Sequence, residues 1–491
     1  MQCDHALHHV PCHPGQVSQA NASRDLGLHV AQSEVLDEIP ALRCAAAGMT
    51  RLFAAVLVLV TFFAASPASA QDSDIQVLTT PAGIEVWLKE EPSIPIVSFN
   101  IAFRGGASLD PQGKEGLANM VSGLLDEGAG ELDSQAFQER LDELSIRMSF
   151  DIGRDAFYGS LTTLKAGLDD AADLFHLALA APTFDPEPVE RIRGQILVGL
   201  LREAEDPNAR AWRAWSEAAF PDHVYGRPTD GTAESVESIT QQDLIDFVTG
   251  NFTRDRLVVA VVGDISAERT MALVDVMFAD LPAAGAAIEI PDVVPATGET
   301  IVVKMDVPQS AIVFGLPGLT RDDPDFYAAY VLNKALGGGG LNNRFFEEIR
   351  KARGLAYSAS SFVYAYDHAG LWLGATGTQN ARAGETLDVV RDILRDVAEN
   401  GISQAELDDA RDYLTGSFPL RLDSNDAIAG MLLSIQMNDL GRDYIEMRNS
   451  YIDAVTPEDV QRIAERLLRA DDLLVVVAGS PEGITASTTV D

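Results

Sequence analysis

SITQQDLIDFVTGNFTRDRLVVAVVGD, residues 238–264, and AVTPEDVQRIAERLLRADDLLVVVAGS, residues 454–480, are two versions of one sequence pattern. Thr240 aligns with Thr456, an offset of 216 residues. Each segment predicts an amphipathic helix that begins after this N-capping threonine, followed by a turn and a hydrophobic strand. The offset is too long for a solenoid and is typical of two duplicated domains.

A second pair of segments repeats in the same way. NIAFRGGASLDPQGKEGLANM and IVFGLPGLTRDDPDFYAAYVLNK place Asp110 opposite Asp323, an offset of 213 residues. In each segment a strand is expected to lead through a loop to a helix. We expect the aspartate to be the N-cap of that helix and the proline after it to be the first helical residue.

The segment ADLPAAGAAIEIPDVVPATGET separates the repeats and is rich in Pro, Ala and Gly, which predicts a linker over residues 281–299. The two halves then span residues 74–280 and 300–485. Both halves mix strands with long helices, such as 187–205 and 404–415. The predicted fold class is α+β, with two homologous domains in tandem. Each domain is expected to be a mostly antiparallel sheet covered by helices on one face.

The N-terminal region carries a secretion pattern. Met49-Thr-Arg is followed by an apolar run of 14 residues (52–65) and by SPASA, which ends at Ala70. This pattern is typical of a signal peptide, and the run is short for a membrane span. We therefore expect a signal peptide over residues 49–70, cleaved after Ala70, and an over-extended start over residues 1–48. The mature chain is expected to be periplasmic and to have no membrane span.

The composition excludes one class of partner. The net charge is −38, and 46% of the residues are hydrophobic. A nucleic-acid-binding protein needs clustered Lys and Arg, so this balance argues against nucleic acid. All three cysteines lie within residues 1–48, where histidines give the region a superficial likeness to a metal site. An untranslated sequence is the favoured interpretation of that likeness.

The usual catalytic patterns are missing from the sequence. Three histidines follow the signal peptide, His176, His223 and His368, and none has a neighbour at zinc-ligand spacing. The sequence contains no G-x-S-x-G elbow, and no cysteine follows the signal peptide. An all-carboxylate site for calcium or magnesium stays open.

The segment LGGGGLNNRFFEEIRKARGLAYS, residues 336–358, is the most unusual in the chain. Its glycines lack the Walker A continuation, which disfavours a phosphate cradle. The pattern predicts a helix over 341–353 with a glycine C-cap, then a strand over 355–366. This geometry can bring Arg350 and Tyr357 together as hydrogen-bond donors for a carbonyl or an oxyanion. The alternative is a surface pair between Arg350 and Glu347, with the tyrosine packed in the sheet.

Together, these segments resemble the M16 (pitrilysin/insulinase, mitochondrial-processing-peptidase-like) metallopeptidases over almost the whole mature chain. Active members carry His-x-x-Glu-His on the first long helix, where two His bind zinc and the Glu is the general base. Asn119, Ser122 and Gly123 stand at those three positions here. A third ligand, a Glu, is expected near residues 198–200, but the nearest acids are Glu203 and Glu205.

The resemblance implies a function for the other half of the family's site. Arg350 and Tyr357 match an Arg/Tyr pair that holds the substrate peptide opposite the zinc. The predicted function is the non-catalytic, substrate-binding subunit of a periplasmic heterodimer. The partner would be an M16 subunit with His-x-x-Glu-His, and zinc is expected in that partner and not in this chain. Two alternatives are a peptide-binding or assembly protein with no proteolytic role, and an enzyme with an unrecognised metal or nucleophile.

Overall fold

The computed structural model describes residues 74–490. The predicted signal peptide and the residues before it lie outside this range. The first half contains a six-stranded sheet and a two-stranded hairpin, built from β1 (Ile75–Thr79), β2 (Glu85–Glu90), β3 (Ile96–Arg104), β4 (Gly128–Ala129), β5 (Leu132–Asp133), β6 (Arg147–Ile152), β7 (Ala156–Leu164) and β8 (Leu257–Gly263). The second half contains another six-stranded sheet, built from β9 (Thr300–Lys304), β10 (Gln309–Pro317), β11 (Ala356–Tyr366), β12 (Ala369–Gln379), β13 (Leu474–Gly479) and β14 (Thr488–Val490).

Helices surround both sheets. Those of the first half are α1 (Leu117–Ser122), α2 (Ser134–Leu144), α3 (Leu168–Ala180), α4 (Pro186–Glu205), α5 (Pro207–Ala219), α6 (Ala233–Ser238), α7 (Gln241–Asn251) and α8 (Ala267–Met277). Those of the second half are α9 (Phe326–Leu336), α10 (Ala383–Asn400), α11 (Gln404–Gly416), α12 (Asn425–Met437), α13 (Tyr444–Asp453) and α14 (Pro457–Leu467).

The two sheets have related topologies. The first has the order β1-β2-β8-β3-β7-β6, with only the β2–β8 pair parallel. The second has the order β11-β12-β10-β13-β9-β14, with β9 parallel to both of its neighbours. The predicted α+β fold with two homologous, mostly antiparallel domains is therefore confirmed.

The repeated helix–strand unit forms as expected. Thr240 and Thr456 cap α7 and α14, and each helix begins with a reciprocal capping box. The aspartate three residues later accepts the N–H of its threonine, at 2.7 Å for Asp243 and 3.0 Å for Asp459. Both helices lead to buried strands, β8 and β13. The same capping sequence thus begins the same helix–strand unit in both halves.

The expected Asp-Pro helix starts are wrong in detail. Helix α1 is capped by Gly116, and the carboxylate of Asp110 accepts the N–H groups of Gly116 and Ala118, both at 2.9 Å. Helix α9 is capped by Asp325, whose N–H donates to Asp323 at 2.9 Å. The chain makes a turn between each aspartate and its helix. The side chain therefore reaches the helix start across that turn instead of preceding the first helical residue.

Each sheet also receives one helix from the other half. The helices that belong to a half cover one face of its sheet, as expected. On the opposite face, α12 packs against β3 and β8, while α5 packs against β10 and β13. Trp215 of α5 is 2% exposed and donates its indole N–H to the carbonyl of Leu474 at 3.1 Å. Gln436 of α12 donates to the carbonyl of Val259 at 3.2 Å. Each half therefore contributes one helix to the hydrophobic core on the far face of the other half's sheet; we call this exchange the interlock of the two halves.

The linker forms neither helix nor strand and is held along its length. Val293 donates to the carbonyl of His368 at 2.9 Å, and Ala296 donates to Ala219 at 2.8 Å. It therefore lies against both halves. Among the helices of residues 74–490, none combines the length and the apolar character that a membrane crossing needs.

Candidate functional site

The helix that carries Arg350 differs from the prediction. It begins at Arg344, and residues Phe346–Lys351 form a π-helix. Leu341, expected in the apolar stripe, precedes the helix and is 63% exposed. Phe345 and Ile349 are fully buried and anchor the segment in the second core. A π-helical turn has wider spacing than an α-helix and is frequent at functional sites.

Two glycines fit the shape of this segment. A side chain at Gly337 would meet the Phe345 ring at 2.7 Å, so the start of the glycine run is a close-packed turn. Gly354 has φ +58°, and its N–H donates to the carbonyl of Arg350 at 2.9 Å. The helix itself ends at Lys351 with Ala352 as its C-cap, two residues earlier than predicted, and Gly354 has the left-handed conformation expected of the glycine. Because the turn at Gly354 is tight, strand β11 begins only two residues later, at Ala356.

Tyr357 lies at an irregularity of an edge strand. Ala356 pairs with Thr378, and Ala359 pairs with Thr376, so β11 has one extra residue at this point. Such a β-bulge redirects side chains. Tyr357 is 81% exposed and points away from the sheet core. The alternative in which this tyrosine packs within the sheet therefore does not hold.

The structure brings Arg350 and Tyr357 into contact. The guanidinium carbon of Arg350 lies 4.4 Å from the centroid of the Tyr357 ring and 5.2 Å from that of Phe346. The expected competitor, Glu347, pairs instead with Lys351 at 2.9 Å. Two aromatic faces thus orient a guanidinium without using up its N–H donors. These donors and the exposed phenol are suited to a carbonyl oxygen. Phe346 is a member of this cluster that the sequence interpretation missed.

The residues at the zinc-motif positions do not fit a zinc ion. Asn119 and Ser122 lie on α1, and the Ser122 hydroxyl donates to the Asn119 carbonyl at 2.8 Å. Gly123 follows the helix, and a side chain there would meet a methyl group of Ile192 on α4 at 3.3 Å. An amide, a hydroxyl already engaged and a glycine are a poor donor set for zinc. Among residues 74–490, no three His, Cys, Asp or Glu side chains group as metal ligands.

The expected region of the third ligand is apolar and exposed. Val198 is 47% exposed and Leu201 is 69% exposed on α4. Glu203, one of the two nearest acids, lies 3.8 Å from Arg213 of α5. This carboxylate therefore joins two helices of the first half.

The three histidines have structural contacts. His176 is half-buried on α3, with Nδ1 3.2 Å from the carbonyl of Met277. Nε2 of His223 lies 3.0 Å from the carbonyl of Pro291 in the linker. Nδ1 of His368 lies 3.0 Å from Asp292. Both His223 and His368 contact Tyr225, an association that their spacing in the sequence did not predict.

A cleft of about 780 Å³ borders the helix of Arg350. Six carboxylates and two guanidiniums line it, contributed by Arg344, Glu347, Glu348, Arg353, Asp392, Asp396, Glu406 and Asp409. Arg344 pairs with Glu406 and with Asp396, both at 2.6 Å. Burial would raise the pKa of Glu406, but hydrogen bonds from Arg344 and Ser403 lower it to about 2. The cleft is therefore negatively charged at neutral pH.

Comparisons with known proteins show similarity to the M16 peptidases. Residues 238–414, which include Arg350 and Tyr357, match the family model of the peptidase M16 inactive domain. The chain is 29% identical to the non-peptidase homolog YmxG of Helicobacter pylori, over 72% of this chain and 81% of that protein. It is 25% identical to the mitochondrial-processing peptidase subunit beta of Blastocladiella emersonii, over 83% of this chain and 89% of that subunit.

Solved structures share the fold. A peptidase M16 inactive domain from Pseudomonas fluorescens matches 84% of this chain with a TM-score of 0.78 and 28% identity, and 99% of that chain is covered. A protease from Helicobacter pylori matches 83% of this chain with a TM-score of 0.76. That structure is 19% identical and is covered over 99% of its length, so it supports the fold alone.

Proposed function

We propose that this chain, which belongs to the M16 peptidase family but lacks its zinc motif, is the substrate-binding subunit of a heterodimeric zinc peptidase. The single observation that carries this proposal is the Arg350–Tyr357 pair, with its ring–guanidinium distance of 4.4 Å at an exposed strand edge. The pair would orient a peptide carbonyl for a partner that holds the zinc. No hydrolytic step is assigned to this chain.

The chemistry of the pair supports this role. A guanidinium is always charged and offers five N–H donors, and stacking on rings limits the entropy lost when it binds. A donor aimed at a carbonyl oxygen stabilises the negative charge that develops there during hydrolysis. Tyr357 adds a phenol near the start of an edge strand, where a peptide can approach without unfolding the sheet.

The charge of the cleft and the N-terminal sequence extend the proposal. Carboxylates that line the cleft favour peptides with a basic or neutral composition.

Residues 49–70 support a periplasmic location, because a signal peptide of this kind directs export and is removed afterwards. N-terminal sequencing of the exported protein should begin at Gln71, and an intact N-terminus would contradict this location.

The test is reconstitution with an M16 chain from the same genome that carries His-x-x-Glu-His. Peptide hydrolysis should require both chains. Arg350→Ala should lower kcat/KM at least tenfold, because one charge-assisted hydrogen bond in the transition state is lost. Tyr357→Phe should have a smaller effect in the same direction. Lys351→Ala is the matched control on the same helix and should leave kcat/KM unchanged.

Three outcomes would contradict the proposal. Activity of this chain alone would show a catalytic centre of its own. A wild-type rate of hydrolysis by the two-chain complex that carries Arg350→Ala would show that Arg350 does not bind the substrate. Purification with a partner that also lacks the zinc motif, and without activity, would favour an assembly protein with no proteolytic role.

A further inference from the structure

A small pocket lies beside the interlock, between α5 of the first half and β12 of the second half. Its volume is about 70 Å³. Trp215, Leu371 and Leu373 line its inner end, and each of them is at most 2% exposed. The indole N–H of Trp215 already donates to the carbonyl of Leu474, so these three side chains present carbon atoms to the pocket. An unfilled space with apolar walls costs stability, which favours an apolar occupant.

The pocket is open to solvent at the corner between α4 and α5. Glu203 and Arg213 line this end, and their side chains are 24% and 32% exposed. Trp212 and Ser216 of α5 also line the pocket and are half-buried. The exposure of the lining thus rises from the apolar inner end to this corner. A group from solvent can therefore enter here and reach the apolar end.

Two hydrogen-bond donors of the pocket wall are unused. Trp212 and Ser216 are four residues apart, so their side chains lie on the same face of α5. Within residues 74–490, neither the indole N–H of Trp212 nor the hydroxyl of Ser216 has a hydrogen-bond partner, and neither is fully buried. Both groups can donate to a carbonyl oxygen. The wall is therefore suited to an amide next to an apolar group.

The charges that line the pocket balance. Arg154 is 5% exposed, and its Nε donates to the Tyr366 hydroxyl at 3.2 Å while Nη1 donates to the carbonyl of Arg227 at 2.9 Å. Because these donors are engaged and the opposite charges are equal in number, a neutral group fits the pocket better than an ion. The three guanidiniums and three carboxylates belong to Arg154, Arg213, Arg227, Glu203, Asp206 and Asp230.

The volume limits the size of the group. A cavity of about 150 Å³ accepts a benzene molecule, so a pocket of about 70 Å³ is too small for an aromatic ring. A branched aliphatic chain of roughly three or four carbons is the size that fits. Leucine and valine carry such chains, and within a peptide each is flanked by amides that can use the two free donors.

Strand β11 connects this pocket to the Arg350–Tyr357 pair. Tyr357 is the second residue of the strand, and Tyr366, which lines the pocket, is the last. A strand rises about 3.3 Å per residue, so the two positions are about 30 Å apart. An extended peptide of about nine residues covers that distance. One peptide can therefore contact the pair and place a side chain in the pocket.

We propose that this pocket binds a leucine or valine side chain of a peptide, and that Trp212 and Ser216 bind the neighbouring amide. The inference rests on the proposed function, since the peptide is the one that Arg350 and Tyr357 orient. The pocket then determines specificity at a residue far from the bond that the partner hydrolyses.

NMR on the full wild-type chain tests the pocket without any variant. The probe is N-acetyl-leucinamide, and the signals followed are those of the tryptophan indole N–H groups. The Trp212 signal should shift on titration, whereas the signal of Trp87, which lies in a separate core cluster, should not. N-acetyl-alaninamide should bind at least about tenfold more weakly, because its shorter side chain buries less apolar surface. N-acetyl-phenylalaninamide should also bind more weakly than the leucine amide, because its ring does not fit.

A variant that fills the pocket gives an independent test. Ser216→Leu places a branched aliphatic side chain in the pocket wall and should abolish binding of N-acetyl-leucinamide. Glu217→Leu is the matched control, because this neighbouring residue is exposed and does not line the pocket. It should bind with wild-type affinity. Equal binding by the two variants, with both folded by circular dichroism, would overturn the assignment.

The outcomes separate the pocket from the proposed function. An unchanged Trp212 signal, or equal affinity for the leucine and alanine amides, overturns the pocket and leaves the proposed function intact. Equal affinity for isobutanol, which has no amide, would make the site a cavity for small alkyl molecules and overturn the peptide assignment. Binding of the leucine amide together with a failed reconstitution of hydrolysis would overturn the proposed function alone.

Discussion

Lys334→Met should change how the stability of this protein depends on pH. Lys334, on the last turn of α9, is 5% exposed and forms no ion pair with a carboxylate within residues 74–490. Burial lowers the pKa of Lys334 to about 8, from an ordinary value of 10.5. Between these two values the unfolded chain binds the proton and the folded chain does not. The free energy of unfolding of the wild type therefore rises with pH in this window. The variant lacks this contribution, because methionine has no proton to bind.

The size of the effect follows from the two pKa values. A difference of one in pKa corresponds to 1.36 kcal/mol, so a change from 10.5 to about 8 corresponds to about 3 kcal/mol. The protonated lysine destabilises the folded state by this amount below pH 8, relative to its unprotonated form. The hydrogen bond to Gly339 and the contact with Tyr413 are lost in the variant at every pH.

The assay is urea unfolding of wild type and variant from pH 7 to pH 10.5. Relative to Lys334→Met, the wild type should gain about 3 kcal/mol over this range, most of it above pH 8. Lys351→Met serves as the control for the loss of one positive charge from the same region. A difference between wild type and Lys334→Met that stays constant across the range would refute the assignment of an uncompensated buried ammonium.

Two further predictions concern the interlocked halves and the former zinc site. Trp215→Ala should lower the free energy of unfolding by about 3–5 kcal/mol while unfolding stays a single transition, because this ring joins one half to the sheet of the other. Circular dichroism and fluorescence should then report the same urea midpoint, and separate midpoints would contradict the interlock. Gly123→His should destabilise the protein by about 1–3 kcal/mol through contact with Ile192. Gly194→His, on an open face of α4, is the matched control, and equal midpoints for the two variants would contradict the packing at Gly123.

Local signals account for what the sequence predicted well. The capping boxes at Thr240 and Thr456 involve residues three apart, and the strands that follow are continuous hydrophobic runs. Arg350 and Tyr357 are seven residues apart across a helix, a glycine cap and a strand, so their proximity depends on local geometry. Interactions of this range are encoded in a short window and need no knowledge of the rest of the fold.

Features that depend on contacts between distant parts of the chain could not be predicted from the sequence. The helical pattern of α5 shows that one face is buried, but it does not show that the sheet of the other half covers it. The π-helix over Phe346–Lys351 and the bulge at Tyr357 have no distinct pattern in the sequence. Lys334 is a charged residue within the apolar sequence of α9, which could have drawn attention to it. Such a lysine usually extends to solvent, so its burial became evident only from Tyr413 and Gly339, which lie elsewhere in the chain or in an irregular turn.

The amino-acid sequence by itself indicated that the chain contains two related α+β halves, that the zinc-motif positions hold Asn119, Ser122 and Gly123, and that Arg350 and Tyr357 could come together. The tertiary structure decided which sheet each exchanged helix covers, how the guanidinium is oriented, and where an unpaired ammonium is buried. The physical reason is the range of the forces involved. Capping and periodicity act within a few residues, whereas packing and desolvation depend on which distant surfaces meet.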